Sequence, residues 1–362
     1  MKKHWFYLLL ATTATVTSLT SCSDNDDPKQ PEPTPQPTTT LGAYIINTGN
    51  WGANNGSIMW YDAENQTVSK DLYQTSNQKA IGDVQDLCVY GSKMYAISAA
   101  SAKISVLDLQ GKLLKEIPLT NSAGQPISPR YATSHNGYVF FSAYDGTVSR
   151  MDTTAYNIDK TVQVGDYPEA LTCANNKLYV NISGQGKGST VAVVDPVSMS
   201  KIKDITIKLN PYTQAITGED GFVYVVSNGN YAGDPKKDPS TYVLQTLQRI
   251  NPETDEVEEL CNATYIANKG DKMYILYAEY YLPDTHRCFV YDLKTKESKD
   301  FIDIAQIPSP GFIAVDPINE DVYIGNQPYG ELNEIYVFDK DGNKKSILTT
   351  GLYTTGMRFQ TK

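Results

Sequence analysis

Histidine is nearly missing. The 362 residues hold three, His4, His135 and His286. A histidine-built catalytic metal centre needs three such ligands. His4 lies in a stretch that reads as a cleaved leader, so the mature chain cannot build one. His135 falls in a tight turn, "SHNG". A Ser-His-Asp or Cys-His arrangement would have to use His286, and no G-x-S-x-G accompanies it. C-x-x-C spacing is absent too, which excludes the common zinc and redox motifs. Apart from Cys22 at the end of the leader, the five cysteines leave Cys88, Cys173, Cys261 and Cys288, each inside an apolar run. Four thiols can pair in three ways, but scattered strand cysteines are more often buried and free. No basic patch is present, and nucleic acid is not an expected partner. No segment after the leader is long and apolar enough to span a bilayer, and none sustains a helical period.

The ends of the chain carry targeting information. "MKKHWFYLLLATTATVTSLTSC" has two lysines, an apolar stretch and small residues before Cys22, the pattern of a secretory signal peptide over residues 1–21. Leu19-Thr20-Ser21-Cys22 resembles the bacterial lipobox, which implies cleavage before Cys22 and lipidation of its thiol. Plain secretion is the alternative. Residues 22–40 hold five prolines and four acidic residues and read as an extended tether. Asp24, Asp26 and Asp27 are similar to the surface-export signal of Bacteroidota lipoproteins, or else they are a solubilising charge run. Loss of Lys2 and Lys3 with the leader takes the formal charge from −10 to −12.

From residue 41 the chain repeats. Second strands read "AYII", "KMYAIS", "YVFFS", "KLYVN", "FVYVVS", "KMYILY" and "DVYIG". Third strands end at Asp62, Asp108, Asp152, Asp195, Asn251, Asp292 and Asp339, with gaps of 46, 44, 43, 56, 41 and 47 residues. Seven units of four short strands predict an all-β, seven-bladed β-propeller over 41–362. Each terminal Asp or Asn opens a tight hairpin, where its side chain can bond nearby backbone N–H groups. "DKDGN" starts like a calcium loop, but Thr350 stands where the closing glutamate belongs. The first unit lacks its opening strand and the last is followed by "YTTGMRF", which predicts that the C-terminal strand closes the first blade.

Strand parity then sorts the connections. First-to-second and third-to-fourth turns are short and share one face. Second-to-third and inter-blade connections are long and share the other, the expected working face. Tyr outnumbers Phe by 26 to 9. Long connections hold Trp51, Tyr73, Tyr144, Tyr167, Tyr212, Tyr231, Tyr242, Tyr280, Tyr281, Tyr329 and Tyr353, with Gln327 beside them. Tyr and Trp offer rigid amphipathic contact area at low entropic cost, and about half of them are expected to face a ligand. Trp51, inside "NTGNWGANNGS", gains nothing from burial unless the loop folds back. The position just before each inner strand holds Gln85, Arg130, Glu169, Gln214, Thr264, Gly311 and Thr355. These residues either grip a ligand or hold channel water. The fifth blade's insertion, "SNGNYAGDPKKDPSTY", reads as a clamp over a ligand or a docking surface.

An Asp86/Glu169 carboxylate pair could in principle run acid–base chemistry, but a rim carboxylate near an Arg is more often a binding or structural pair. "SGQGKGS" opens no helix and fails as a phosphate loop. No enzymatic activity is expected.

The phrases "NKLYV", "VAVVDP", "SKIKDI" and "VGDYPEAL" resemble the bacterial seven-bladed propellers of the YncE and surface-layer-protein type. With the lipobox, the acidic signal, the tether and the Tyr/Trp/Asn-rich loops, the chain is similar to the BtuG-type surface lipoproteins. That resemblance implies capture of cobalamin or a related corrinoid on one face, without a cofactor of the protein's own. It also implies delivery to an outer-membrane TonB-dependent transporter and membrane contact through the lipid anchor alone. Surface-glycan binding and protein docking or adhesion are the alternatives.

Overall fold

The computed structural model describes residues 36–362. The signal peptide, Cys22 and most of the tether lie outside the described residues. Seven four-stranded antiparallel sheets follow one another in chain order. The C-terminal strand Thr354–Thr361 takes the inner position of blade 1, beside Thr40–Asn47. The pairing runs past the strand, because Thr38 and Thr39 donate to the Lys362 carbonyl and Lys362 N–H donates back to Thr39. The tether's last residues therefore belong to the closing ladder.

A buried polar knot locks this seam. Asn47, fully buried, donates to Ser57 Oγ at 3.0 Å and accepts from Gly351 N–H at 3.1 Å and Thr354 Oγ1 at 2.6 Å. Asn333 Oδ1 accepts the Thr354 N–H at 2.6 Å, and the Thr350 and Thr354 hydroxyls lie 2.7 Å apart. Satisfied networks of this kind tolerate little misfit, since each orphaned partner costs its desolvation.

The repeated tyrosines of the second strands are core. Tyr95, Tyr179, Tyr224, Tyr274 and Tyr323 are all at most 1% exposed, each ring wedged in an apolar cluster. The hairpin reading holds in all seven blades. Asp62 accepts from Asn65 N–H, Asp108 from Gln110, Asp152 from Thr154, Asp195 from Val197, Asn251 from Glu253, Asp292 from Lys294 and Asp339 from Asp341. These backbone donors hold the Asp62, Asp195 and Asp292 carboxyls below their ordinary range, and the Asn343 side chain leads the same effect on Asp339. The four cysteines among the described residues are free, and burial pushes each thiol up to about 12.

Among the described residues, apart from three single-turn 3-10 segments, the one helix is Leu72–Asn77, in the connection from blade 1 to blade 2. Asp71 caps it by accepting the Tyr73 N–H at 3.0 Å. Six residues are too few to show a period in the sequence.

Removing Thr354–Lys362 is expected to abolish the cooperative unfolding transition. Asn47→Ala should keep the fold but lower stability by about 1–3 kcal/mol, read as a shift of the denaturant midpoint.

Candidate functional site

The inner strands start irregularly, and this aims the mouth residues. Four of the seven begin with proline: Pro129–His135, Pro168–Ala174, Pro211–Thr217 and Pro310–Val315. Proline donates nothing to a ladder and is tolerated at a strand's first position. Just after it the register slips, between Pro129 and Ala132, Pro168 and Leu171, Pro211 and Ala215, and Pro310 and Phe312. Arg130, Glu169, Tyr212, Gln214 and Gly311 sit inside these slips. Arg130, Glu169, Gln214 and Gly311, with Thr355 in the closing strand, are within the strands and not before them as the sequence alignment placed them, and Tyr212 is in a strand and not in a connection. Bulges re-aim side chains and leave backbone groups unpaired. Buried side chains on the second strand of the preceding blade take up carbonyls of two of these slips. Ser142 Oγ donates to the Glu169 carbonyl at 2.7 Å, and Asn181 Nδ2 donates to the carbonyls of Tyr212 and Gln214, each at 3.0 Å.

At the start of the inner strand of blade 3, on the long-loop face, stands Arg130, 5% exposed. Its Nε donates to Glu169 Oε2 at 2.9 Å, Nη1 to Gln85 Oε1 at 2.8 Å and Nη2 to the Tyr212 hydroxyl at 3.5 Å. Gln85 Nε2 continues to the Tyr131 hydroxyl at 3.2 Å. The guanidinium lies 4.5 Å from the Tyr144 ring centre and 5.4 Å from that of Tyr131, and Tyr167 packs edge-on against Tyr144 at 5.2 Å. Cation–π contact and the fork fix the plane of the group. Burial pushes the Glu169 carboxyl up to about 6 against the pull of Arg130. Burial likewise raises Tyr144 and Tyr212, and the neighbouring charge of Glu169 raises both further.

A second pair neighbours the first. Arg358 Nη2 donates to Asp86 Oδ1 at 2.6 Å and Arg358 Nε to the Leu87 carbonyl at 2.9 Å, while Asp86 Oδ2 accepts the Ala132 N–H at 2.9 Å. Asp86 and Glu169 thus each serve their own arginine and do not form a carboxylate dyad.

The remaining candidates divide sharply. Trp51 is 67% exposed, Tyr329 90%, Tyr280 77%, Tyr231 55%, Tyr353 47% and Tyr281 41%. Every strongly exposed aromatic among the described residues is one of these six, and all six sit in second-to-third or inter-blade connections. The Trp51 loop is tied at its base, Thr48 N–H to Tyr353 O at 2.9 Å and Gly56 N–H to Gly82 O at 2.8 Å. Its tip does not fold back. The six form an arc through blades 5, 6, 7 and 1, whereas blades 3 to 5 contribute the half-buried Tyr144, Tyr167 and Tyr212 around Arg130.

Three candidates are placed differently from the sequence expectation. Tyr73 is fully buried against Ile46, Ile58, Ile81 and Val84 under its short helix, and it reaches no ligand surface. Gln214 spends its amide on the next inner strand, accepting the Ile266 N–H at 2.9 Å and donating to its carbonyl at 3.3 Å. Gln327 donates to the Thr354 carbonyl and so serves the closing seam.

The insertion in blade 5 is braced against blade 6. Buried Glu279 accepts the Gln245 N–H at 2.6 Å. Gly233, at φ +84°, leaves room for Leu282, whose Cδ2 would lie 2.6 Å from an added Cβ. Tyr280 and Tyr281 stack edge-on at 4.8 Å. Tyr131, Tyr265 and Arg358 were not singled out in the sequence. Tyr131 and Tyr265 directly follow the aligned mouth positions Arg130 and Thr264, and that adjacency was the available signal.

A seven-bladed propeller with one trimmed face and one elaborated, aromatic-rich face is the class that this geometry defines. The chain belongs to the family described as a domain of unknown function, DUF5074, which matches residues 41–359. No match is found among curated proteins. Solved structures share the fold at low identity. Hydrazine synthase of Kuenenia stuttgartiensis is 14% identical, with TM-score 0.59 over 85% of this chain and 98% of that one. The dihydro-heme d1 dehydrogenase NirN in complex with DHE is 12% identical, with TM-score 0.57 over 91% and 77%. A protein of unknown function from Bacteroides caccae is 9% identical, with TM-score 0.51 over 88% and 98%.

The buried carboxyl makes a test of the floor. A carboxyl raised in the folded state binds its proton more tightly there than in the unfolded chain, so its contribution to stability falls as pH rises from about 4.5 to about 6. Glu169→Gln should remove that part of the slope, on the order of 2 kcal/mol, in unfolding midpoints measured from pH 4 to 8.

Proposed function

We propose that this protein is a surface-anchored, non-enzymatic capture module. It binds cobalamin or a related corrinoid on the long-loop face and passes it to an outer-membrane TonB-dependent transporter. One observation carries the reading: the six strongly exposed aromatics all gather on one face, around a polar mouth. Solvent-exposed Tyr and Trp lose apolar area to water until something covers them. A large ligand with flat apolar surface and amide-fringed edges suits an open, shallow mouth of that composition. The lipobox-like segment ending at Cys22 and the acidic residues after it support attachment to the outer leaflet.

Mixing purified protein with cobalamin should change the vitamin's absorbance spectrum and deplete the free pool. Trp51→Ala and Tyr329→Ala should each weaken binding by about tenfold with the unfolding midpoint unchanged. An unchanged spectrum together with a hit on a glycan array would move the assignment to sugars, for which aromatic platforms serve as well. Cys22→Ala should release the protein from membranes, and protease added to whole cells should degrade the wild-type protein if it faces outward.

A further inference from the structure

The charge and donor balance at the mouth narrows the ligand class further, on the basis of the capture reading above. A guanidinium carries five N–H donors. Arg130 places three of them on Glu169, Gln85 and Tyr212, and its other two have no acceptor among the described residues. Buried donors are almost always satisfied, by protein or by ordered water, and in a side chain 5% exposed two spare N–H groups are open to oxygen atoms of solvent or of a ligand that displaces it. The positive charge is already matched. Arg130 is paired with Glu169 and Arg358 with Asp86, so each of these two cations is matched by a carboxylate within a chain of formal charge −10. An added anion would meet no surplus positive charge there and would face Glu169 after losing its own hydration.

We propose that Arg130 is the specificity-determining contact of the site, donating to neutral carbonyl oxygens on one edge of the ligand while the aromatic arc of blades 5 to 1 takes its flat face, so that amide-bearing ligands are selected over their carboxylate forms. The division of the face supports this orientation. Tyr144 and Tyr131 hold the guanidinium plane in position, whereas Tyr280 and Tyr329 stand free on the opposite arc.

The test compares cobalamin with its side-chain monocarboxylates, each carrying one acid in place of one amide, on the wild-type protein near pH 7.5. At least one monocarboxylate should bind about tenfold more weakly or worse, while the others, with their acid pointing into solvent, bind like the parent. Arg130→Lys keeps the charge but loses the planar fork, and should weaken the parent by a similar factor. Tyr212→Phe, a smaller change, should leave the floor folded and cost a few-fold at most. Equal affinity for every monocarboxylate, or full affinity in Arg130→Lys, overturns the role given to Arg130 and leaves the capture reading standing. Failure of intact cobalamin to bind the wild-type protein overturns the ligand class, and this inference with it.

Discussion

The pairing of the two chain ends is the constraint on which the rest of the structure depends. Thr354–Thr361 lies against Thr40–Asn47, and no other blade draws its strands from opposite ends of the sequence. An open ring would present two bare sheet edges and lose the contacts that each blade makes with the next. Nor would the mouth exist, because Arg358 reaches Asp86 from the closing strand itself, and Tyr353, just ahead of that strand, carries part of the aromatic arc. The closing ladder leaves few alternatives in register. Asn47 holds Gly351 and the Thr354 hydroxyl, while Asn333 takes the Thr354 N–H. A shift by one residue would leave those buried groups without partners and turn Met357 out of the core.

Closure then determines what each face can become. Four antiparallel strands per blade put two classes of connection on each side. Asp and Asn hairpins keep one side tight, each carboxylate or amide spent on its own turn. The other side is left free to vary. The slip after each inner-strand proline converts a regular ladder into a place where side chains point at the mouth, and Ser142 and Asn181 absorb the backbone groups that the slip leaves over. The floor is therefore costly to disturb, whereas the exposed rim is cheap to change. That is the arrangement expected when one scaffold is to carry different ligand preferences.

What could be read in advance follows the range of the interactions involved. The hairpin residues were legible because their contacts lie within four positions, and the blade count because seven copies repeat one pattern. The missing first strand and the surplus last one made closure a matter of counting. Tyr73 was not legible. In the sequence it looks like any other loop tyrosine, and its burial depends on Asp71 capping a six-residue helix and on Ile81 and Val84 folding over it. Gln214 and Gln327 were misplaced for a related reason. An amide at the mouth has the same letter whether it faces solvent or bridges to Ile266 or Thr354 on another blade. Aligning the blades did bring Gln85, Arg130 and Glu169 together, but the cross-blade fork, and the roles of Tyr131 and Arg358 beside it, required three dimensions.

One residue type performs opposite tasks in this molecule, and burial separates them. Second-strand tyrosines such as Tyr95 and Tyr274 are core rings. Tyr144 and Tyr131 are half-buried and fix a guanidinium. Tyr280 and Tyr329 stand free. A ring has only two side-chain torsions to lose on contact, so exposed tyrosines can be ordered at low entropic cost. Arg130 would be expensive to order at the moment of binding, and it is ordered beforehand by two rings, a carboxylate and an amide. On the proposed capture reading, the costly part of recognition is completed during folding and the inexpensive part is left until contact. A buried polar floor beside an exposed aromatic arc also has no rotational symmetry, despite the sevenfold repeat that builds it. A bound molecule can then be held in one orientation on a scaffold whose backbone offers seven nearly equivalent ones.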